Sequence, residues 1–403
     1  MIAVSIRVFA LTSIVTLLIC DARTECILNI NKDLASTGPV FIRNGDFMVP
    51  NRDDGSISFG RSETVTVACP GTNRRIVLGK DSTNYDVLDA HCIINSTFRV
   101  ERQIIQFKDI QCNSQPWFTA EKTRENCRKR SKIYRVGYKV RNTFYKLYEA
   151  CFDADVFHTH YVRHHLTPMS RFMQTGLKRP SFIEGNLFGK VRMNELYKLN
   201  NQKKQIIDIL GPDMDAEYLT KNQFLTRGHL AARADYTSSA ETRATFHYVN
   251  TAPQWMRGNA GDWAALEEAI RRRVQTRDSD VTIITGTHGV MALPNQRGEM
   301  KEVYLHVDAN NNPVVPVPMY FYKLVYDPKD GTAASFISIN SSFYNASMID
   351  SLTFCQDICE ENSQYAWLKW RSNDGTFSFC CDYDDFVKEI DYLPKLTVKG
   401  RFY

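Results

Sequence analysis

The chain has 403 residues, 43% apolar and 24% charged, with a formal net charge of +5. These values exclude a disordered or fibrous chain and allow one large domain or two to three ordinary ones, each with a buried core. The mild positive balance suits a polyanionic partner without requiring one.

At the N-terminus Arg7 precedes an apolar run from Val8 to Ile19, and Cys20 and Ala22 stand at −3 and −1 of a cleavage point. This is the pattern of a secretory signal peptide over residues 1–22; the run is shorter than the ~20 apolar residues a membrane span needs. No later segment is long and apolar enough to cross a bilayer, so the mature protein is expected to be secreted and free of the membrane. Ten cysteines follow: Cys26, Cys69, Cys92, Cys112, Cys127, Cys151, Cys355, Cys359, Cys380 and Cys381. An even count in an oxidising compartment favours disulfides over zinc. The pairing stays open. Sequons at Asn95, Asn340 and Asn345 agree with a secretory route.

Residues 27–118 hold short β-type runs at 63–69, 75–78 and 102–107, separated by turn residues. They predict a cysteine-containing, β-rich N-terminal module over 23–120. Between Lys122 and Lys146 stand ten Lys or Arg and one acid, Glu125, interleaved with Tyr134, Tyr138, Phe144 and Tyr145. Two readings compete: a surface for phosphates and stacked bases, or a solvated strand face with buried aromatics. His158, His160, His164 and His165 resemble metal ligands, but no carboxylate or cysteine stands at a matching spacing. Arg163 among them is a candidate substrate contact.

The chemistry concentrates in Thr226-Arg-Gly-His-Leu-Ala-Ala-Arg-Ala-Asp-Tyr236 and in the run from Asn250 to Glu267. His229 follows Arg227 and Gly228; an arginine suits a phosphate, and a glycine permits close backbone approach. A helix is predicted over about 262–275, where Trp263, Leu266, Ile270 and Val274 form a core-facing stripe. Glu267 sits on that stripe. A carboxylate there needs a cation, a hydrogen-bond donor or a metal; Arg271 at i+4 is the simplest partner. Asn259, eight residues earlier, reads by itself as a helix cap with Asp262. Strands follow at 281–287, 320–326 and 334–339. Strands and helices in mixed order give an α/β or α+β sheet core.

Arg227-Gly228-His229 followed by Asn250, Pro253-Gln254, Asn259, Trp263 and Glu267 resembles, in residues and spacing, the signature of the DNA/RNA non-specific endonuclease family. The likeness covers roughly residues 130–390 and is absent over 23–120. It implies a ββα-metal core over 121–403, with a mixed, mainly antiparallel sheet flanked by helices. His229 would be the general base and Asn259 the protein ligand of one Mg²⁺, with Mn²⁺ as a substitute. Glu267 would orient the metal's waters, Arg227 would bind phosphate, and Asn250 and Gln254 would support the site. Arg233 and Arg257 are further candidate phosphate contacts. DNA and RNA would be the substrates, cut to leave 5′-phosphates. Many members have Asp at the position of Thr226 and Pro at that of Ala232, which puts the tuning of the site in question. Two alternatives stay open: a nuclease restricted to one polymer, such as double-stranded RNA or DNA, and a secreted nucleic-acid-binding protein without catalysis.

Overall fold

In a computed structural model the described residues are 25–360, 362–371 and 376–403. The signal-peptide reading of residues 1–22 lies outside them. Among the described residues no helix is long and apolar enough to cross a membrane.

The three β-type runs of the N-terminal part form strands Thr64–Ala68, Ile76–Leu78 and Gln103–Gln106. Alternate residues of Thr64–Ala68 and of Val87–Ile94 are buried, the period-two pattern of a half-buried strand. These two strands are neighbours in a six-stranded antiparallel sheet, and Cys26–Asn29 pairs with Ser56–Phe59 beside it. Phe41, Phe59, Val65, Phe98 and Phe107 share a core of their own. Cys26–Cys92 and Cys69–Cys112 close it, and no disulfide leaves it. Val40, Ile42 and Ala68 of the same sheet instead join the larger core of the rest of the chain.

That larger core lies on a nine-stranded sheet running in order Thr119–Arg128, Ser131–Val140, Thr143–Asp153, His158–Leu166, Val281–Val290, Pro318–Asp327, Thr332–Ile339 and Phe377–Cys381. Gly400–Arg401 adds the ninth, and its pairing is the parallel one. The strands at 281–290 and 318–327 are buried on both faces, which explains their continuous apolar runs. One face carries the helices and the motif segments; the other is covered by Phe386, Ile390, Leu393 and Leu396 near the C-terminus.

The basic stretch occupies the first three strands and takes the strand-face form. Tyr134 and Tyr138 are buried. Arg135 pairs with Glu121 at 2.8 Å, Lys146 with Glu149 at 2.5 Å and Arg141 with Asp89 at 3.2 Å. All ten cysteines after residue 22 are bridged; the remaining pairs are Cys127–Cys151, Cys355–Cys381 and Cys359–Cys380. Adjacent Cys380 and Cys381 take separate partners because neighbouring strand residues face opposite sides: Cys380 belongs to one core and Cys381 to the other.

The motif segments form a ββα unit. Leu225–His229 pairs antiparallel with Thr251–Trp255, with Thr226 opposite Gln254 and His229 opposite Thr251. A short helix, Met256–Gly258, an irregular turn, Asn259–Trp263, and the helix Ala264–Arg277 follow. Gly261 leaves helical geometry (φ −100°, ψ −111°) and bends the entry to the long helix. The predicted stripe of Trp263, Leu266, Ile270 and Val274 is buried. Asn340 ties the hairpin to the sheet: its Oδ1 accepts from Trp255 N at 3.0 Å, and its Nδ2 donates to Pro253 O and Pro318 O. It is therefore buried, so this sequon belongs to packing and not to the glycan-accessible surface, whereas Asn95 and Asn345 are exposed.

Candidate active site

A cleft of about 720 Å³ opens beside the ββα unit. His229, Arg227, Arg233, Asn259 and Glu267 all line it, and so does Thr226. Asn250, Gln254 and Arg257 do not.

His229 closes its strand and is packed between the rings of Phe182 and Phe246, with centroids 5.1 and 5.0 Å away. Its Nε2 is buried and has no hydrogen-bond partner among the described residues. Desolvation lowers its pKa to about 3, helped by the charges of Arg179 and Arg233; a hydrogen bond to the Arg227 backbone acts in the opposite sense. Gly228 is required beside it: a Cβ there would meet Gln254 Oε1 at 2.4 Å and Gln254 Cβ at 2.8 Å.

Arg227 is held rather than free. Its Nε donates to Tyr248 Oη at 2.8 Å, Nη2 to Asn194 Oδ1 at 3.2 Å, and its guanidinium lies over Tyr197 at 4.7 Å. Arg179 and Arg233 face the same cleft, and neither has a carboxylate partner among the described residues. Burial, then the charges of Arg233 and Arg227, lower the pKa of Arg179. Like charges gathered this way mark a site for an anion.

Asn259 is not a helix cap. Its backbone is helical, and its Nδ2 donates to Thr226 Oγ1 at 2.8 Å, while Thr226 Oγ1 donates to Gln254 O at 2.8 Å. The amide oxygen is the atom left for a cation. Glu267 has no ion pair among the described residues: Arg271 is taken by Asp235 at 2.9 Å and Glu268 at 3.0 Å. Burial raises the Glu267 pKa to about 7, and Lys323 partly offsets this. An amide oxygen and a half-buried carboxyl in one cleft are the donor set a hard divalent cation prefers.

Asn250 is fully buried and stabilises the loop after His229: its Oδ1 accepts from Ala231 N at 2.8 Å, and its Nδ2 donates to Ala231 O and Thr245 O. Gln254 is buried behind Gly228. Arg257 is exposed outside the cleft. Arg163 is bound to Glu149. The histidine run makes no joint site: His164 bonds Asp235 at 2.9 Å, His160 bonds Ser131 at 3.0 Å, and His165 is exposed. Sequence reasoning missed Arg179, Phe182, Asn194, Tyr197 and Tyr248. The segment 179–197 has no periodic pattern, and only its folding against the motif brings it to the cleft.

A ββα unit on a mainly antiparallel sheet, with an imidazole, an amide, a carboxyl and three arginines lining one cleft, fits a phosphodiester-cleaving hydrolase of the nuclease class. The profile of the DNA/RNA non-specific endonuclease family matches residues 129–386, and the chain belongs to that metal-dependent family. It is 28% identical to a salivary endonuclease of Lutzomyia longipalpis over 393 residues, 94% of this chain and 87% of that one. It is 24% identical to the salivary protein Tsal2A of Glossina morsitans morsitans, over 94% of this chain and 95% of the relative. The solved structure of an EndoG/EndoGI complex aligns with 64% of this chain and 89% of its own, at 18% identity and a TM-score of 0.38.

Proposed function

We propose that this is a secreted Mg²⁺-dependent endonuclease that hydrolyses both DNA and RNA to 5′-phosphate ends, with His229 as general base and Asn259 as metal ligand. The observation that carries it is the convergence on one cleft of His229, Asn259, Glu267 and three arginines.

Each residue then has a role set by its surroundings. Arg227, Arg179 and Arg233 hold the phosphodiester, Arg227 in an orientation fixed by Asn194 and Tyr248. His229, kept neutral by burial, takes a proton on its imidazole from the water that attacks phosphorus. Asn259, aligned by Thr226, and Glu267 would hold the cation directly and through water. When bound, the cation supplies positive charge to the pentacoordinate phosphorus and the leaving oxygen. Backbone recognition by arginine and amide groups has no sugar-specific element, which supports action on both polymers. Secretion is supported by the leader pattern, the five disulfides and the salivary names of two relatives.

The test is incubation of plasmid DNA, duplex RNA and a single strand with Mg²⁺, with Mn²⁺ and with EDTA. Cleavage of all three with metal and none in EDTA is expected. Cleavage of one polymer alone would replace this reading with the restricted nuclease. Binding without cleavage would replace it with the inactive binding protein, and full activity in EDTA would refute the metal role.

A further inference from the structure

The catalytic cleft does not end at the ββα unit. A second groove of about 230 Å³ lies against it, and Pro180 and Arg233 line both. One wall of this groove comes from the N-terminal part of the chain, through Ser36, Thr37 and Gln115; the other holds Lys178, Arg233 and Arg243. The seam between the two parts is fixed: Gln174 Nε2 donates to Leu34 O at 2.7 Å, and Ser239 N donates to Gln174 Oε1 at 3.1 Å. The groove is therefore a built feature of the fold.

Its charge is one-sided. No Asp or Glu lines it, and Lys178, Arg233 and Arg243 have no carboxylate partner among the described residues. The Nε atoms of Arg233 and Arg243 are buried without a hydrogen-bond partner among the described residues, although Arg233 Nη2 donates to Leu177 O at 3.3 Å. Glu241, two residues from Arg243, is engaged in capping its own helix through Ser238. Buried guanidinium N–H groups left unpaired are costly, and an anion with several acceptor oxygens relieves that cost.

We propose that this seam is the track for the nucleic-acid strand flanking the scissile phosphate, with Lys178 and Arg243 contacting its phosphates and Ser36 and Thr37 forming the opposite wall. The proposal rests on the nuclease reading above and adds to it a binding role for the N-terminal part of the chain. Contacts to phosphate alone carry no sequence preference, and their strength must fall with salt.

The test is binding of a fluorescein-labelled single-stranded DNA in EDTA, followed by anisotropy over a range of NaCl concentrations. The Lys178→Gln/Arg243→Gln double variant is expected to bind about tenfold more weakly. Its slope of log affinity against log salt should be shallower by about 1.4, the value for two lost single-strand phosphate contacts. Ser36 is exposed, so its substitution spares the core. Ser36→Glu should weaken binding and Ser36→Lys should strengthen it, and opposite signs at one position cannot arise from misfolding. Unchanged affinity and slope in the double variant, or same-direction shifts at Ser36, would overturn the proposal. Because binding is read without metal, the two readings fail separately. Wild-type protein that cleaves nothing while these variants lose affinity refutes the nuclease and keeps the track. Active protein whose variants bind as wild type does refutes the track.

Discussion

His229 is kept neutral by burial and by two guanidiniums, so its ring stays unprotonated well below the usual imidazole range. His229→Ala is expected to lose about 10²–10⁴-fold in turnover. It should still bind nucleic acid, because Arg227, Arg179 and Arg233 remain. A folded His229→Ala protein that cleaves at near wild-type rate, with a mock purification as control, would refute the assignment. The pH dependence follows from the sign of the shift. The base works only when unprotonated, and its pKa lies below the ordinary 6.5, at about 3. With Mg²⁺ saturating, so that the cation keeps Glu267 ionised, the acid limb of kcat/KM should therefore fall below pH 6.5. Arg179→Gln removes one of the cations that lower this pKa, so the limb should move to higher pH whatever happens to its height. A limb that stays in place or moves to lower pH would exclude that electrostatic cause.

At the scale of elements, the site depends on how one strand is fastened to the turn after its partner. Thr226 stands where many family members have Asp, and here its hydroxyl links the Asn259 amide to the Gln254 carbonyl. The substitution keeps the alignment of the amide while removing a negative charge from the edge of the cleft. Thr226→Ala breaks both bonds and frees the Asn259 side chain to rotate. Outer-shell losses of this kind weaken metal binding by about 10–100-fold. Calorimetric titration with Mn²⁺ should show a drop of that order, with Thr226→Ser restoring most of it. Unaltered affinity in Thr226→Ala would mean that Asn259 needs no such alignment. The long helix has its own constraint. Its stripe of Trp263, Leu266, Ile270 and Val274 fixes its rotation against the sheet, and this turns Glu267 into the cleft rather than toward Arg271.

Across the whole molecule, the division near residue 120 is a proposal with a direct consequence. The strand Thr119–Arg128 already belongs to the nine-stranded sheet, and no disulfide joins residues before it to residues after it. A chain beginning at Thr119 keeps every motif residue of the cleft. It also uncovers apolar surface now packed by Val40, Ile42 and Ala68, and it loses one wall of the seam. It should therefore melt at a lower temperature than the full chain and retain metal-dependent cleavage, with a higher KM for long polymers than for short ones. A folded truncated chain without any cleavage would show that the two parts are not separable.

What the sequence determined by itself is what local spacing encodes. Residues 263–274 repeat along a helix, so Glu267 could be assigned to a face without a structure, whereas the ββα unit around His229 came only with the family likeness. The family likeness added Asn259, whose isolated reading as a cap was incorrect, because its hydrogen-bond partner, Thr226, is 33 residues away. The even cysteine count pointed to bridges, but the choice of partners rested on which strands became neighbours. Tertiary structure alone separated Arg233, in the cleft, from Arg257, in solvent, and withdrew Asn340 from the surface to fasten the hairpin. It alone also brought Arg179, Asn194 and Tyr197 over the motif and set Ser36 against Arg243. Such contacts join segments tens to hundreds of residues apart, and nothing in the period or spacing of either segment records the other. Those of the cleft are fixed only when the larger core forms, and those of the seam only when the N-terminal part packs against it.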